Sequence, residues 1–308
     1  MQKYLVTGGA GFIGGNLVEH LVKKGKDVVV YDNLWSGKLD NIKNIMSSIE
    51  FIKGDINDRS LLEKTIKKYL PDVVVHLAAK AFIPYCNDHP EETLTVNVNG
   101  TLQLLNICSK HIPQKILFAS SAAVYPPSSP AYSETHMLKP FDIYGLSKIC
   151  GEHLMELFSK KIKCSIICCR LFCTYGPKST IEFVIPHILN QIKEGKDLIE
   201  LGNIKPKRDF IYVIDVVDAL VRLSQTKQKR FDIYNIGTGI EHSVEELVKI
   251  ISKILNKDIN ISSVNKFKRN IDRPHLLANI NKIRRNLRWK PKFDISKGLS
   301  ELIKIELI

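Results

Sequence analysis

Tyr144 and Lys148 stand four residues apart, so on a helix they share one face and bring an ammonium next to a phenol. A phenol ionises at about 10 in water, too high for a base at neutral pH. A neighbouring cation favours the phenolate and makes the tyrosine a general base for a hydroxyl proton. Ser121 ends the stretch that begins with the apolar run Lys115 to Ala119. Its hydroxyl would bridge the reacting oxygen and stabilise an alkoxide as it forms. A lone Tyr-x-x-x-Lys occurs by chance on many helices, and this one gains its weight from what precedes it.

The chain opens with a short apolar strand, Tyr4-Leu5-Val6, that runs into Thr7-Gly8-Gly9-Ala10-Gly11-Phe12-Ile13-Gly14 and then a helical pattern from Asn16 to Lys24. Gly8 permits a sharp turn, Gly11 lets the backbone approach a pyrophosphate, and Gly14 lets helix and strand pack closely. The pyrophosphate would sit on the helix N-terminus, with Phe12 and Ile13 beside it. Eighteen residues after Gly14, Asp32 ends the run Val28 to Tyr31, with Asn33 next to it. A carboxylate there accepts both ribose hydroxyls and repels a 2'-phosphate, so the expected cofactor is NAD and not NADP. A glycine turn with no ligand is the plainer alternative, and the flanking strand, helix and acid argue against it. The nicotinamide would be the redox partner. Lys148 would also hydrogen-bond its ribose.

These groups need a scaffold. Apolar runs at Glu50 to Lys53, Val73 to Leu77 and Lys115 to Ala119 alternate with helical patterns at Asp58 to Tyr69, Glu91 to Lys110 and Tyr144 to Lys161. The alternation predicts an α/β, Rossmann-type doubly wound parallel sheet with right-handed crossovers, whose ligands bind at the carboxyl edge. Asp55-Ile56 follows the third strand, where Asp55 either accepts from an adenine amino group or caps a helix, a role Asp58 could also fill. Leu77, Ala78 and Ala79 fall where the backbone must pass the cofactor's phosphates and ribose. Lys80 either meets a phosphate or is a solvated surface lysine. Further helices are expected at Phe183 to Glu194, Ser243 to Leu255, Ile280 to Asn286 and Ser296 to Ile305, with a strand at Ile199 to Leu201. The expected division is a cofactor domain over 1–170, with a strand returning near 232–236, and a smaller interleaved α/β substrate lobe over most of 171–308.

The 308 residues suffice for a large core, and 44% hydrophobic with 25% charged residues is ordinary for a globular protein. A net charge of +13 suits anionic ligands, yet the lysines are scattered, so a solvated basic surface explains it equally well and nucleic acid is not expected. No apolar run nears the ~18 residues of a membrane span, and the first strand begins too early for a signal peptide. A cytoplasmic location without membrane attachment is the expectation. Four of the seven cysteines fall between Cys164 and Cys173 in a spacing that matches no common zinc site. They read as small residues of a buried strand kept reduced, and no metal is expected.

The glycine spacing, Asp32, Ser121 and the Tyr144/Lys148 pair resemble the extended short-chain dehydrogenase/reductase superfamily, in particular its NAD-dependent nucleotide-sugar epimerases and dehydratases, similar to UDP-glucose 4-epimerase. The resemblance implies a nucleotide-diphosphate sugar as substrate and a homodimer built on the helices near 91–110 and 145–161. It implies that Asn97, in Asn97-Val98-Asn99-Gly100, helps hold the strand carrying the catalytic residues at the cofactor site. Arg170-Leu171-Phe172-Cys173-Thr174-Tyr175-Gly176-Pro177 resembles a block whose Asn contacts the substrate diphosphate; Cys173 stands there. Arg208, in Arg208-Asp209-Phe210, and Arg269 would bind phosphates, and Asp272 the nucleoside ribose, although Ile271 replaces the glycine of that last block. Leu276 falls where related 4-epimerases border the sugar's C2 substituent, and its size would leave room for an N-acetyl group.

In the family's 4,6-dehydratases an acidic pair follows the catalytic hydroxyl, and in its 3,5-epimerases a cysteine takes the second place. Here the two residues are Ala122 and Ala123, which carry no proton. Epimerisation at C4 needs no third proton carrier. A one-way 4-ketoreductase, a 4,6-dehydratase and, from another class, a non-catalytic NAD-sensing protein are the alternatives, the last opposed by the intact Ser121, Tyr144 and Lys148.

Overall fold

In the computed structural model, residues 2–127, 131–227, 231–267 and 273–307 are described. The first half runs β1 (Lys3–Thr7), α1 (Phe12–Lys23), β2 (Asp27–Asp32), β3 (Glu50–Lys53), α2 (Arg59–Tyr69), β4 (Val73–His76), α3 (Ile83–Asp88), α4 (Pro90–Leu94), α5 (Gly100–Cys108), β5 (Lys115–Ser121), α6 (Ile143–Lys161) and β6 (Ser165–Leu171). The second half adds β7 (Cys173–Tyr175), α7 (Val184–Lys193), β8 (Leu198–Leu201), β9 (Lys207–Arg208), β10 (Phe210–Tyr212), α8 (Val213–Gln225), β11 (Phe231–Ile236), β12 (His242–Ser243), α9 (Val244–Leu255), β13 (Asn260–Ser263), β14 (His275–Leu276), α10 (Asn281–Leu287) and α11 (Ile295–Glu306).

Seven strands pair in the order β11-β6-β5-β4-β1-β2-β3, all parallel. The chain winds one way from β1 through β2 to β3 and the other way from β4 outward, so the topological switch lies between β1 and β4. Alternate residues take opposite faces. Leu5, Val29, Val74, Ile116 and Ile166 pack with Leu62, Leu104 and Met155 of α2, α5 and α6. Val6, Val30, Val75, Leu117 and Ile167 pack with Leu17 and Leu21 of α1 and Val216 and Leu220 of α8. Burial on both faces is why these strands read as continuous apolar runs. A third core joins Ile188, Leu201, Tyr212, Leu247 and Leu299.

Two features differ from the sequence expectation. The helix expected over Glu91 to Lys110 is broken by a π turn at Thr95–Asn99. Thr101 Oγ1 donates to the Asn97 carbonyl there at 2.6 Å, and such turns re-aim side chains. The return to the main sheet is also larger than one strand. α8 covers the sheet beside α1, and Ile283 of α10 joins the same core, so the helix expected in the smaller lobe packs beside β11 instead. Lys282 Nζ fixes it there, donating to the Ile233 carbonyl at 2.7 Å.

A small sheet, β12-β9-β14, sets Arg208 beside Leu276. No helix among the described residues is long and apolar enough to cross a membrane.

Candidate active site

The glycine turn is built to exclude side chains. Gly8 has φ +70, and a Cβ on it would stand 2.8 Å from the Ala78 nitrogen; one on Gly14 would stand 2.1 Å from the Gly8 carbonyl. The turn therefore lies tight against the end of β4 and beneath α1. Gly11 is the N-cap of α1, without a capping side chain and with no acid in the first turn, which leaves the helix dipole to an anion.

Asp32 ends β2, where its carboxylate oxygens accept from the Ala10 and Leu34 N–H groups at 2.9 and 2.8 Å. Each oxygen keeps a further lone pair, as two ribose hydroxyls would require. Burial raises the Asp32 pKa, and the two backbone bonds oppose the rise. Asn33 Nδ2 donates to Asp55 at 2.7 Å, and the other Asp55 oxygen accepts from the Asn57 N–H at 2.8 Å. Asp58, not Asp55, caps α2, accepting from Leu61 N–H at 3.0 Å. Ile56 is buried beside Gly100, while Leu77, Ala78 and Ala79 are half-buried just past β4.

Lys80 is not the solvated surface lysine of the plainer expectation. It is buried, its Nζ 2.5 Å from Glu92 and 3.2 Å from the centroid of the Trp35 ring, so its charge is met by protein groups rather than by solvent. Asn97 likewise spends its side chain on the protein. It accepts from Lys80 N–H at 2.8 Å and donates to the Lys80 carbonyl and to Ser147 Oγ, both at 2.9 Å. From the π turn it thus clamps the segment after β4 to α6.

α6 starts at an Asp142 cap, whose Oδ1 accepts from Gly145 N–H at 2.6 Å. Tyr144 lies in its first turn, near enough to the Ser121 hydroxyl at the end of β5 for that hydroxyl to favour its phenolate. Ser121 Oγ also accepts from Ala123 N–H at 3.1 Å, which leaves its proton to be donated to Tyr144 or a reacting oxygen. Burial raises the Tyr144 pKa, and the nearby Ser121 hydroxyl opposes the rise. One turn on, Lys148 is buried, with Nζ donating to the Ala119 carbonyl at 2.8 Å and lying 5.7 Å from the Tyr144 ring centroid. Burial pulls its pKa down to about 8.

On the opposite side, Cys173 opens β7, half-buried and within electrostatic reach of Arg273. Arg208 Nη1 donates to the Lys207 and Arg273 carbonyls at 2.8 and 2.7 Å. Leu276 is buried in β14 next to Arg208. Arg269 and Asp272 lie outside the described residues.

Several residues around the site escaped sequence reasoning. Glu152 takes Arg170 in a buried ion pair at 2.7 Å and accepts from Ser120 Oγ at 2.5 Å. Its signal was present, since it extends the Tyr144/Lys148 face by one more turn. Asp209 collects the N–H groups of Thr238, Gly239 and Ala278, and burial raises its pKa to about 6. Arg273 reaches the turn after Ser121 from a distant segment, and no local pattern marks it.

A parallel sheet whose glycine turn excludes side chains, with a carboxylate at the end of β2 and a serine, tyrosine and lysine at its carboxyl edge, defines a dinucleotide-dependent short-chain dehydrogenase/reductase. The model of the GDP-mannose 4,6 dehydratase family matches residues 5–302, and the chain belongs to this family of NAD-dependent nucleotide-sugar epimerases and dehydratases. A Methanocaldococcus jannaschii protein, provisionally named a UDP-glucose 4-epimerase, is 34% identical over 305 residues, covering 97% of this chain and 96% of that one. The structure of a UDP-N-acetylglucosamine 4-epimerase from Methanobrevibacter ruminantium, in complex with UDP-N-acetylmuramic acid, is 30% identical with a TM-score of 0.90, covering 98% and 97%. A dTDP-glucose 4,6-dehydratase from Bacillus anthracis, in complex with NAD, is 28% identical with a TM-score of 0.87, covering 99% and 96%. The glycine cradle, the uncapped α1 and the Asp32 carboxylate fit NAD, the cofactor of the family.

Proposed function

We propose that this protein interconverts a nucleotide-diphosphate sugar with its C4 epimer through a transient 4-keto sugar. The observation that carries the reading is the pair Ala122 and Ala123, both buried and both without a group that moves protons. Elimination of water or epimerisation next to the ketone needs such a group, whereas oxidation and reduction at C4 need only Ser121, Tyr144 and Lys148. Overall similarity does not separate the reactions, because an epimerase and a dehydratase match this chain almost equally well.

In this reading Tyr144 takes the proton of the C4 hydroxyl, and Lys148 favours the phenolate by its charge. The Ser121 hydroxyl donates to the same oxygen and stabilises the charge that develops on it. NAD, when bound, supplies the two-electron oxidation and its reversal. Once the keto sugar has presented its other face, Tyr144 returns the proton, and no net redox change remains. Arg208, Cys173, Arg269 and Asp272 are the proposed contacts for the nucleotide diphosphate. Leu276, smaller than an aromatic ring, is proposed to leave room for an N-acetyl group at C2, and a similar structure holds a UDP-N-acetyl sugar derivative.

Proton NMR of the anomeric region tests this directly, with catalytic NAD and UDP-glucose, UDP-galactose or their N-acetyl counterparts. The C4 epimer should accumulate without net NADH, and Tyr144→Phe should abolish it. Leu276→Tyr should suppress turnover of the N-acetyl sugars and spare the plain hexoses. Stoichiometric consumption of NADH would favour the ketoreductase instead.

A further inference from the structure

The turn that follows Ser121 is held from outside by a guanidinium. Arg273 lies just before β14, 5% exposed, and its two terminal nitrogens donate to neighbouring carbonyls. Nη1 reaches the Ala122 oxygen and Nη2 the Ala123 oxygen, each at 2.9 Å. The cation also lies 4.3 Å from the centroid of the Phe141 ring.

The Ala122 carbonyl and the Ala123 N–H belong to one rigid peptide plane. That plane is gripped at both ends, its carbonyl by Arg273 and its N–H by Ser121 Oγ at 3.1 Å. Rotating it would break both bonds at once and release the Ser121 hydroxyl from its set direction. The second carbonyl touches the other half of the site, since a Cβ on Gly145, the neighbour of Tyr144, would stand 2.5 Å from the Ala123 oxygen. Arg273 is anchored in turn, because its own carbonyl accepts from Arg208 Nη1 at 2.7 Å and the next carbonyl, of Pro274, accepts from Lys207 N–H at 2.8 Å.

We propose that Arg273 is a positioning residue which, by holding the Ala122–Ala123 peptide, aims the Ser121 hydroxyl at Tyr144. The proposal rests on the reading of Ser121 and Tyr144 as the reacting pair. Arginine is required because its planar fork reaches two adjacent carbonyls at once, whereas a lysine is a point donor on a flexible stem.

The test uses Arg273→Lys and Arg273→Gln in the NAD-loaded protein. On the nucleotide sugar turned over by the wild type, kcat should fall by about tenfold or more while KM stays within about threefold, as expected when reacting groups are misplaced and binding is kept. A second readout needs no sugar. The near-ultraviolet tyrosinate signal that depends on Tyr144, taken as the difference from Tyr144→Phe in the same background, reports its ionisation. The groups that face Tyr144 are Ser121 from β5, Cys86 from α3, Asp142 at the helix cap and Lys148 on α6. Only the Ser121 contact depends on the turn, and it lowers the Tyr144 pKa. Its midpoint should therefore move up by about one unit in both Arg273 variants, the worth of one hydrogen bond to a charged group.

In a Ser121→Ala background the Arg273 substitutions should add no further shift. An unchanged midpoint, a shift as large without Ser121 as with it, or a defect confined to KM would overturn the proposal. Should both variants fail to fold, Phe141→Leu removes only the ring beside the guanidinium and should give a smaller upward shift, and no shift would reject the role. If the wild type turns over no nucleotide sugar, the epimerase reading fails while the Tyr144 titration still decides the part played by Arg273.

Discussion

At Lys148, burial and chemistry pull against each other. The proposed mechanism wants an ammonium beside Tyr144, yet the side chain is only 3% exposed, and desolvation lowers its pKa to about 8 against the support of Cys86, Glu152 and Cys168. The sign follows directly. Below that pH Lys148 is charged and favours the phenolate; as pH rises through it the proton is lost and the base weakens. The profile of kcat against pH should therefore carry a falling limb near pH 8. Loss of activity that begins only near the ordinary lysine pKa, about two units higher, would contradict the environment described for Lys148. The Tyr144/Lys148 pair was legible in the sequence because both lie within one helical turn. Lys80 was not. Its partners Glu92 and Trp35 come from separate segments, and only folding reveals that its charge is already matched.

Elements were legible wherever the signal is local. Asp58 and Asp142 cap their helices, and Ser243 with Glu246 forms a capping box at the helix expected from Ser243 onward. The π turn around Asn97 was not legible, because its geometry is set by bonds to Lys80 and Ser147, which lie 17 and 50 residues away in the chain. The same holds for the join between α6 and the sheet. Glu152 on α6 meets Arg170 on β6, and Arg170 Nη1 continues to the Tyr125 hydroxyl at 2.8 Å, which donates to Asn235 on β11 at 2.7 Å. Both charges are almost fully buried, so removing one leaves the other without compensation. Glu152→Ala should destabilise the protein by about 3–5 kcal/mol, read from urea unfolding. An isosteric apolar replacement of both partners should cost much less than the single change. A loss below about 1 kcal/mol in Glu152→Ala would mean that water reaches Arg170 and that the pair does not lock helix to sheet.

For the whole molecule, alternation of strands and helices indicated the doubly wound sheet, but the allocation of later segments to it depended on long-range pairing that no local pattern carries. β11 joins β6 from sixty residues further on, and α8 and α10 follow it onto the sheet. The expected homodimer belongs to this scale. α6 packs its inner face on the sheet through Gly151 and Met155, and turns Leu146 and Leu157 outward, 41% and 54% exposed. Eleven residues apart, these two leucines share one helical face, and α5 lies alongside. A helix of this kind paired with its copy across a two-fold axis makes an isologous interface in which each Leu157 is covered. Sedimentation velocity should therefore give a dimer, and Leu157→Glu should shift it to monomer by placing a charge in an apolar contact that does not pair it. The glycine turn, Asp32, Tyr144 and Lys148 meet within one chain, so the monomeric variant should still bind NAD. A wild-type monomer, or a Leu157→Glu protein that stays dimeric, would move the interface away from α6.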